Sequence, residues 1–142
     1  ELTPEFSEDV FDYEVVIPKD LYDYSIPKLT LQPLVENSIY NGIKLQREKG
    51  SIRVEAVDLG DKIELSVRDN GAGMTEERLQ EMRTAIETGE KTGFGLRTVH
   101  ERMQLLYGEE YGLTIASTEG VGTTVIAVIP KILNSEKGII NV

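Results

Sequence analysis

At 142 residues, 39% of them hydrophobic and 28% charged, the chain has the size and balance of one soluble domain with a buried core. A net charge of −10 argues against a nucleic-acid binder, which draws its affinity from cations that neutralise phosphates. It leaves room for a nucleotide held by backbone amides, a helix N-terminus and a metal ion. The absence of cysteine excludes a disulfide framework and a thiolate metal site and fits a cytosolic home, and no apolar run reaches the length of a membrane span. The sequence begins at Glu1 rather than Met, so we expect a fragment of a longer protein, with no signal peptide before its first strand.

Residues 1–12 are acidic and irregular. Tyr13 to Ile17 reads as a first strand, stopped by Pro18. Turn chemistry follows, and Pro27 sets up a helix through Leu29, Leu34, Val35, Ser38 and Ile39, with a start or a kink at Pro33. Ile52 to Asp58 and Lys62 to Asp69 alternate apolar and polar residues about Leu59-Gly60-Asp61, which predicts a β-hairpin. Thr75 to Ile86 is a predicted helix, with Thr75 as N-cap and Glu76 and Glu77 in the first turn. After a polar loop at Thr88 to Thr92, Leu96 to Tyr107 is a second clear helix, with Leu96, Val99, Met103 and Leu106 on one face and Gly108 as its stop. Leu113 to Ser117 and Thr123 to Ile129 are strands about the turn at Glu119 to Gly122.

This order of elements does not make a parallel doubly wound sheet. It predicts an α+β two-layer sandwich, a mixed and mostly antiparallel sheet with helices on one face. We expect residues 1–130 to form a single domain and residues 131–142 a C-terminal tail.

Four stretches carry chemistry. On the helix after Pro27, Pro33, Asn37, Asn41 and Lys44 share one stripe, so one face presents two amides and an ammonium. An amide oxygen at Asn37 suits a hard cation such as Mg²⁺ shared with phosphates, although on the helix alone a buried or capping asparagine is the commoner outcome. Asp69-Asn70-Gly71-Ala72-Gly73-Met74 follows a strand directly. Its glycines allow a sharp turn and a close approach, and its carboxylate can accept from an exocyclic amine; a plain connecting turn has the same composition. Thr92-Gly93-Phe94-Gly95-Leu96 feeds the second helix, which makes an anion site at its N-terminus, flanked by Lys91 and Arg97. It is neither a Walker loop nor a dinucleotide fingerprint. Thr123, opening the last strand, has a hydroxyl suited to a water-bridged contact with a base. His100, the single histidine, has no carboxylate triad and reads as structural or solvated.

In this order and spacing the four stretches resemble the ATP-binding catalytic domain of a sensor histidine kinase of the GHKL superfamily. LQPLVEN at 31–37 and GLRTVHERMQLLYG at 95–108 are most similar to kinases of the LytS/YesM type. The resemblance spans Tyr13 to Pro130 and implies the Bergerat fold, with ATP and Mg²⁺ as ligands. It implies that Asn37 coordinates the metal, with Asn41 and Lys44 beside it in the phosphate region. It implies that Asp69 reads the adenine amine on a wall shaped by Gly71, Gly73 and Met74. Thr92, Gly93, Phe94, Gly95, Leu96 and Arg97 would form the lid hinge and phosphate wall, Thr123 the last box, and Thr75–Thr92 a mobile lid.

The chain departs from the pattern at Tyr40 and Asn41, where the family usually has a basic residue and a histidine, and at Pro33, where members that hydrolyse ATP through water carry a glutamate. A proline is no general base, so the resemblance implies a phosphoryl donor rather than a free-running ATPase; Glu36 projects about 100° from Asn37 and is assigned no catalysis. The phospho-accepting histidine is expected on an upstream dimerisation domain and the final acceptor on a response regulator. Nucleic acid and direct membrane contact by this fragment are not expected, and the setting implied is the cytoplasmic domain of a membrane-anchored sensor. Two other readings remain: a non-catalytic nucleotide-binding or interaction module, and an anti-sigma-type serine kinase of the same superfamily.

Overall fold

The computed structural model describes residues 11–22, 24, 34–36, 38, 50–89 and 95–132. Five strands form one sheet in the order β1-β2-β3-β5-β4. They are β1 (Phe11–Val16), β2 (Gly50–Asp58), β3 (Lys62–Asp69), β4 (Gly112–Thr118) and β5 (Gly122–Pro130). β1 runs parallel to β2, and the other three pairings are antiparallel. The sheet is therefore mixed and mostly antiparallel, as the alternation of hairpins with helices predicts.

Strand periodicity decides which face is covered. Ile52, Val54 and Ala56 of β2, Ile63, Leu65 and Val67 of β3, and Val125, Ala127 and Ile129 of β5 are all buried. Their neighbours Arg53, Glu55, Glu64 and Ser66 point the other way and stay partly exposed. Two helices described in full cover the apolar face, α1 (Glu76–Thr88) and α2 (Leu96–Tyr107). α1 starts on Thr75, whose Oγ1 accepts from the Arg78 amide at 3.1 Å, and buries Leu79, Met82, Ala85 and Ile86. α2 buries Leu96, Val99 and Met103 and stops at Gly108, whose amide donates to the Gln104 carbonyl at 2.9 Å. Leu34 and Val35, on the helical residues of the N-terminal half, join the same core together with Leu21. Each fully buried aliphatic side chain stabilises the fold by about 1.5–3 kcal/mol, so this one-sided core is what holds sheet to helices.

The first strand begins two residues earlier than its apolar run implies, because pairing with Gly50 and Ser51 of β2 extends it to Phe11 and Asp12. Among the described residues no helix is long and apolar enough to cross a membrane.

Candidate functional site

The helix-facing row of β3 runs Ile63, Leu65, Val67 and then Asp69, so a carboxylate stands where the core would otherwise continue. Asp69 is 4% exposed. Its Oδ1 accepts from the Gly71 amide at 2.8 Å. Its Oδ2 is buried without a hydrogen-bond partner among the described residues, and so is the Ser38 hydroxyl. Burial pushes the Asp69 carboxyl above its ordinary range, against the lowering effect of the Gly71 amide, the Ser38 hydroxyl and the Thr123 amide. Ser38 thus faces the carboxylate without closing a good hydrogen bond on it. An acceptor and a hydroxyl left open together are what a ligand's donor or an ordered water would fill.

The loop after Asp69 is fastened on both sides. Asn70 Oδ1 accepts from the Ser51 amide at 2.7 Å, and the Asn70 amide donates to the Ser51 carbonyl at 3.2 Å, which ties the loop to β2. On the other side the Gly120 amide donates to the Ala72 carbonyl at 2.7 Å. Gly73 has φ of 71°, and a Cβ there would lie 2.1 Å from the Thr118 carbonyl oxygen. The same closeness recurs at Gly122, where a Cβ would lie 2.0 Å from the Asp69 carbonyl oxygen. No other residue fits either position, so the DNGAG loop and the β4–β5 turn are pressed together backbone to backbone.

Thr123 pairs with Asp69 on one side and Ser117 on the other. Ser117 Oγ donates to the Gly122 carbonyl at 2.9 Å, accepts from the Met74 amide at 2.8 Å and lies 2.8 Å from Thr123 Oγ1. A hydroxyl has one proton, so with that proton on Gly122 the Thr123 hydroxyl must donate to Ser117. Thr123 Oγ1 is left as an acceptor beside Asp69. Sequence reasoning missed Ser117; counting across the predicted four-residue turn at Glu119 to Gly122 sets Thr118 opposite Thr123, and the observed turn is one residue shorter, which brings Ser117 there instead. That reasoning also assigned Ser38 to the core and passed over Asn70 as a loop clamp.

The second group of expected site residues opens α2. Gly95 is its N-cap in the left-handed region and offers no side-chain acceptor, and Leu96 points into the core. The Arg97 guanidinium lies on the end of α1, with Nη1 donating to the Ile86 carbonyl at 2.6 Å and to the Glu87 carbonyl, and Nη2 donating to Glu101 at 2.9 Å. Asn37, Asn41, Lys44, Thr92, Gly93 and Phe94 lie outside the described residues. The structure thus brings Asp69, Gly71, Gly73, Met74 and Thr123 together at one end of the sheet. One expectation is corrected. The span Thr75–Thr92, expected as a mobile lid, is over Glu76–Thr88 a helix with four side chains in the core, and a lid cannot include residues anchored by that burial.

A cleft of about 650 Å³ at the same end of the sheet is bordered by Glu14, Arg53, Arg68, Thr124 and Ala116, and it reaches the strand ends at Asp69, Ser117 and Thr123. By strand register the bordering side chains belong to the helix-free face, opposite Asp69 and Thr123. Its cations are partly spent, since Arg53 pairs with Glu14 at 2.7 Å.

This fold is shared with solved structures. The catalytic domain of histidine kinase ThkA matches with a TM-score of 0.63 and 22% identity over 88% of this chain and 83% of that one. At that identity the likeness establishes the fold. The sequence establishes the family: residues 27–133 match the family described as histidine kinase-, DNA gyrase B- and HSP90-like ATPase, and the chain belongs to it. Among its relatives are sensor histidine kinase YesM of Bacillus subtilis, 39% identical over 74% of this chain and 17% of that protein, and sensor histidine kinase YpdA of Escherichia coli, 38% identical over 74% and 18%. Sensor protein LytS of Bacillus anthracis is 30% identical over 92% of this chain and 22% of its own length. The chain therefore spans about a fifth of the curated relatives it matches.

Proposed function

We propose that this chain is the ATP-binding catalytic domain of a two-component sensor histidine kinase, which presents the γ-phosphoryl group of ATP to a histidine on a separate dimerisation domain for relay to a response regulator. The observation that carries the reading is the buried Asp69 with an unpartnered Oδ2 beside the unpartnered Ser38 hydroxyl. A carboxylate acceptor at the end of a strand, next to a hydroxyl and the acceptor Thr123 Oγ1, complements a purine edge that offers an exocyclic amine and water-bridged contacts. Gly73 and Gly122 bring the two loops together so that this edge is rigid before ligand arrives.

The amides that open α2 are the complement for phosphates, a role that the family resemblance extends to Gly93 and Phe94. Mg²⁺ held with Asn37 would supply charge neutralisation on the phosphate oxygens, with Asn41 and Lys44 alongside. The chain's own contribution is positional and electrostatic: it holds the nucleotide and leaves the terminal phosphoryl group open to an acceptor imidazole from the other domain. The relatives named as sensor kinases, and a solved complex of histidine kinase ThkA with response regulator protein TrrA, support this assignment of partners. The relatives named as sensors support a cytoplasmic domain, and a membrane anchor elsewhere in the full protein is part of the proposal.

Calorimetric titration of a non-hydrolysable ATP analogue, with and without Mg²⁺, tests the reading on the fragment and on Asn37→Ala and Asp69→Ala. The expected result is binding that weakens in both variants, with the Mg²⁺ dependence lost in Asn37→Ala alone. A parent fragment that binds no analogue in either condition refutes it.

A further inference from the structure

Two helix ends of opposite partial charge meet where α1 finishes and α2 starts. α1 has no basic residue in its last turn and carries Glu87 there, so its terminal carbonyls present an uncompensated negative end. Its own cap satisfies one of them, the Ala85 carbonyl, through the Gly89 amide at 2.9 Å. α2 opens on Gly95 with no side-chain cap and no acidic residue in its first turn. Its first intrahelical bond runs from the Val99 amide to the Gly95 carbonyl at 3.3 Å, and among the described residues the amides of Leu96, Arg97 and Thr98 have no acceptor.

Arg97 joins these ends. One nitrogen of its fork donates to both the Ile86 and Glu87 carbonyls, and the other pairs with Glu101 one turn further along α2. The side chain runs past Gly89, where an added Cβ would lie 3.5 Å from Arg97 Nε. With both terminal nitrogens engaged and its charge offset by Glu101, the guanidinium has little left to offer a phosphate. It does bring a cation to the carbonyl end of α1, next to the amides that the proposed function assigns to phosphate.

We propose that Arg97 is a positioning residue for the nucleotide phosphates: it fastens the carbonyl end of α1 to the first turns of α2, aims the open α2 amides and neutralises the negative helix end beside them, without touching phosphate itself. The proposal rests on the nucleotide reading above. It predicts that charge alone is not enough, because a lysine ammonium is a single point charge that cannot hold two carbonyls and a carboxylate at once.

The test compares the fragment with Arg97→Lys and Arg97→Ala by affinity for AMP-PNP and by amide hydrogen exchange without nucleotide. Both variants are expected to bind about fivefold to tenfold more weakly. Exchange at Thr88, Gly89 and Val99 is expected to quicken before any ligand is added, with the sheet amides unchanged. Parental affinity in Arg97→Ala overturns the proposal. So does weakened binding with unchanged exchange in the free protein, or full rescue by Arg97→Lys, since each marks a direct phosphate contact. A parent fragment that binds no AMP-PNP overturns the nucleotide reading and this role with it, a result distinct from parental affinity in the variant.

Discussion

Asp69, on the helix-facing row of β3, and His100, on α2 against β4, are both titratable groups between the two layers, and they differ in how their hydrogen bonds are met. His100 Nδ1 accepts from the Leu113 amide of the edge strand β4 at 3.1 Å, and its ring fills the space over Gly112, where an added Cβ would lie 2.5 Å from Cε1. Two residues along, Arg83 of α1 donates to the Ile115 carbonyl through Nε and Nη2 at 3.2 and 2.9 Å. The two side chains occupy outward-facing backbone groups of an edge strand, which would otherwise offer a template to another chain. Asp69 has one oxygen satisfied and one open. A group whose bond is made to the neighbouring strand is explained by the fold, whereas a buried oxygen left without a partner calls for something from outside. The contrast separates the nucleotide contact proposed for Asp69 from an architectural role for His100.

The largest way to break the comparison is Gly73→Ala, which drives a Cβ into the Thr118 carbonyl at a positive φ. We expect a loss of about 2–4 kcal/mol in urea unfolding, with the Asp69 loop displaced and nucleotide binding lost along with it. Asp69→Asn should separate the two properties. Nucleotide affinity is expected to fall about tenfold to a hundredfold by calorimetry, because an amide cannot replace the charged acceptor in both orientations. Stability without nucleotide should hold or rise.

The pH dependence follows from the same carboxyl. Its folded-state value is raised above 3.8, so the folded form binds the proton more tightly than the unfolded chain does. Asp69 therefore favours folding below 3.8, and that contribution is lost as pH rises through the raised folded value. A urea midpoint followed upward from acid pH should show this decline in the parent and not in Asp69→Asn.

At the other site, burial and Arg97 lower the His100 value, while Glu87 and Glu101 oppose them. Here the sign reverses. Stability is complete above 6.5 and declines as pH falls through the lowered folded value, since the protonated ring can no longer accept from Leu113. His100→Ala should cost about 1–2 kcal/mol by leaving that amide unpaired, with AMP-PNP affinity unchanged. An equal loss of affinity would end the distinction drawn between the two sites. The smallest effect is expected from Arg83→Met, about 1 kcal/mol in urea unfolding, together with more self-association by sedimentation as the Ile115 carbonyl is uncovered.

What the sequence by itself determined is local. Alternation over Ile52–Asp58 and Lys62–Asp69 predicts the β2–β3 hairpin, and apolar spacing with a threonine cap and a glycine stop predicts both helices to within two residues at their ends. The glycine-bearing boxes, in order, led to the family that the comparison establishes. These features need nothing beyond near neighbours. The tertiary structure decided the partners. That Ser117 completes the Thr123 hydroxyl, that Ser38 faces Asp69, and that Arg97 belongs to the end of α1 all depend on which elements lie side by side. A serine, a buried carboxylate or an arginine has the same local preferences whether it serves a ligand, a neighbouring strand or a helix end. Its role is set by which hydrogen bonds the rest of the fold leaves unmade, and no spacing along the chain records that.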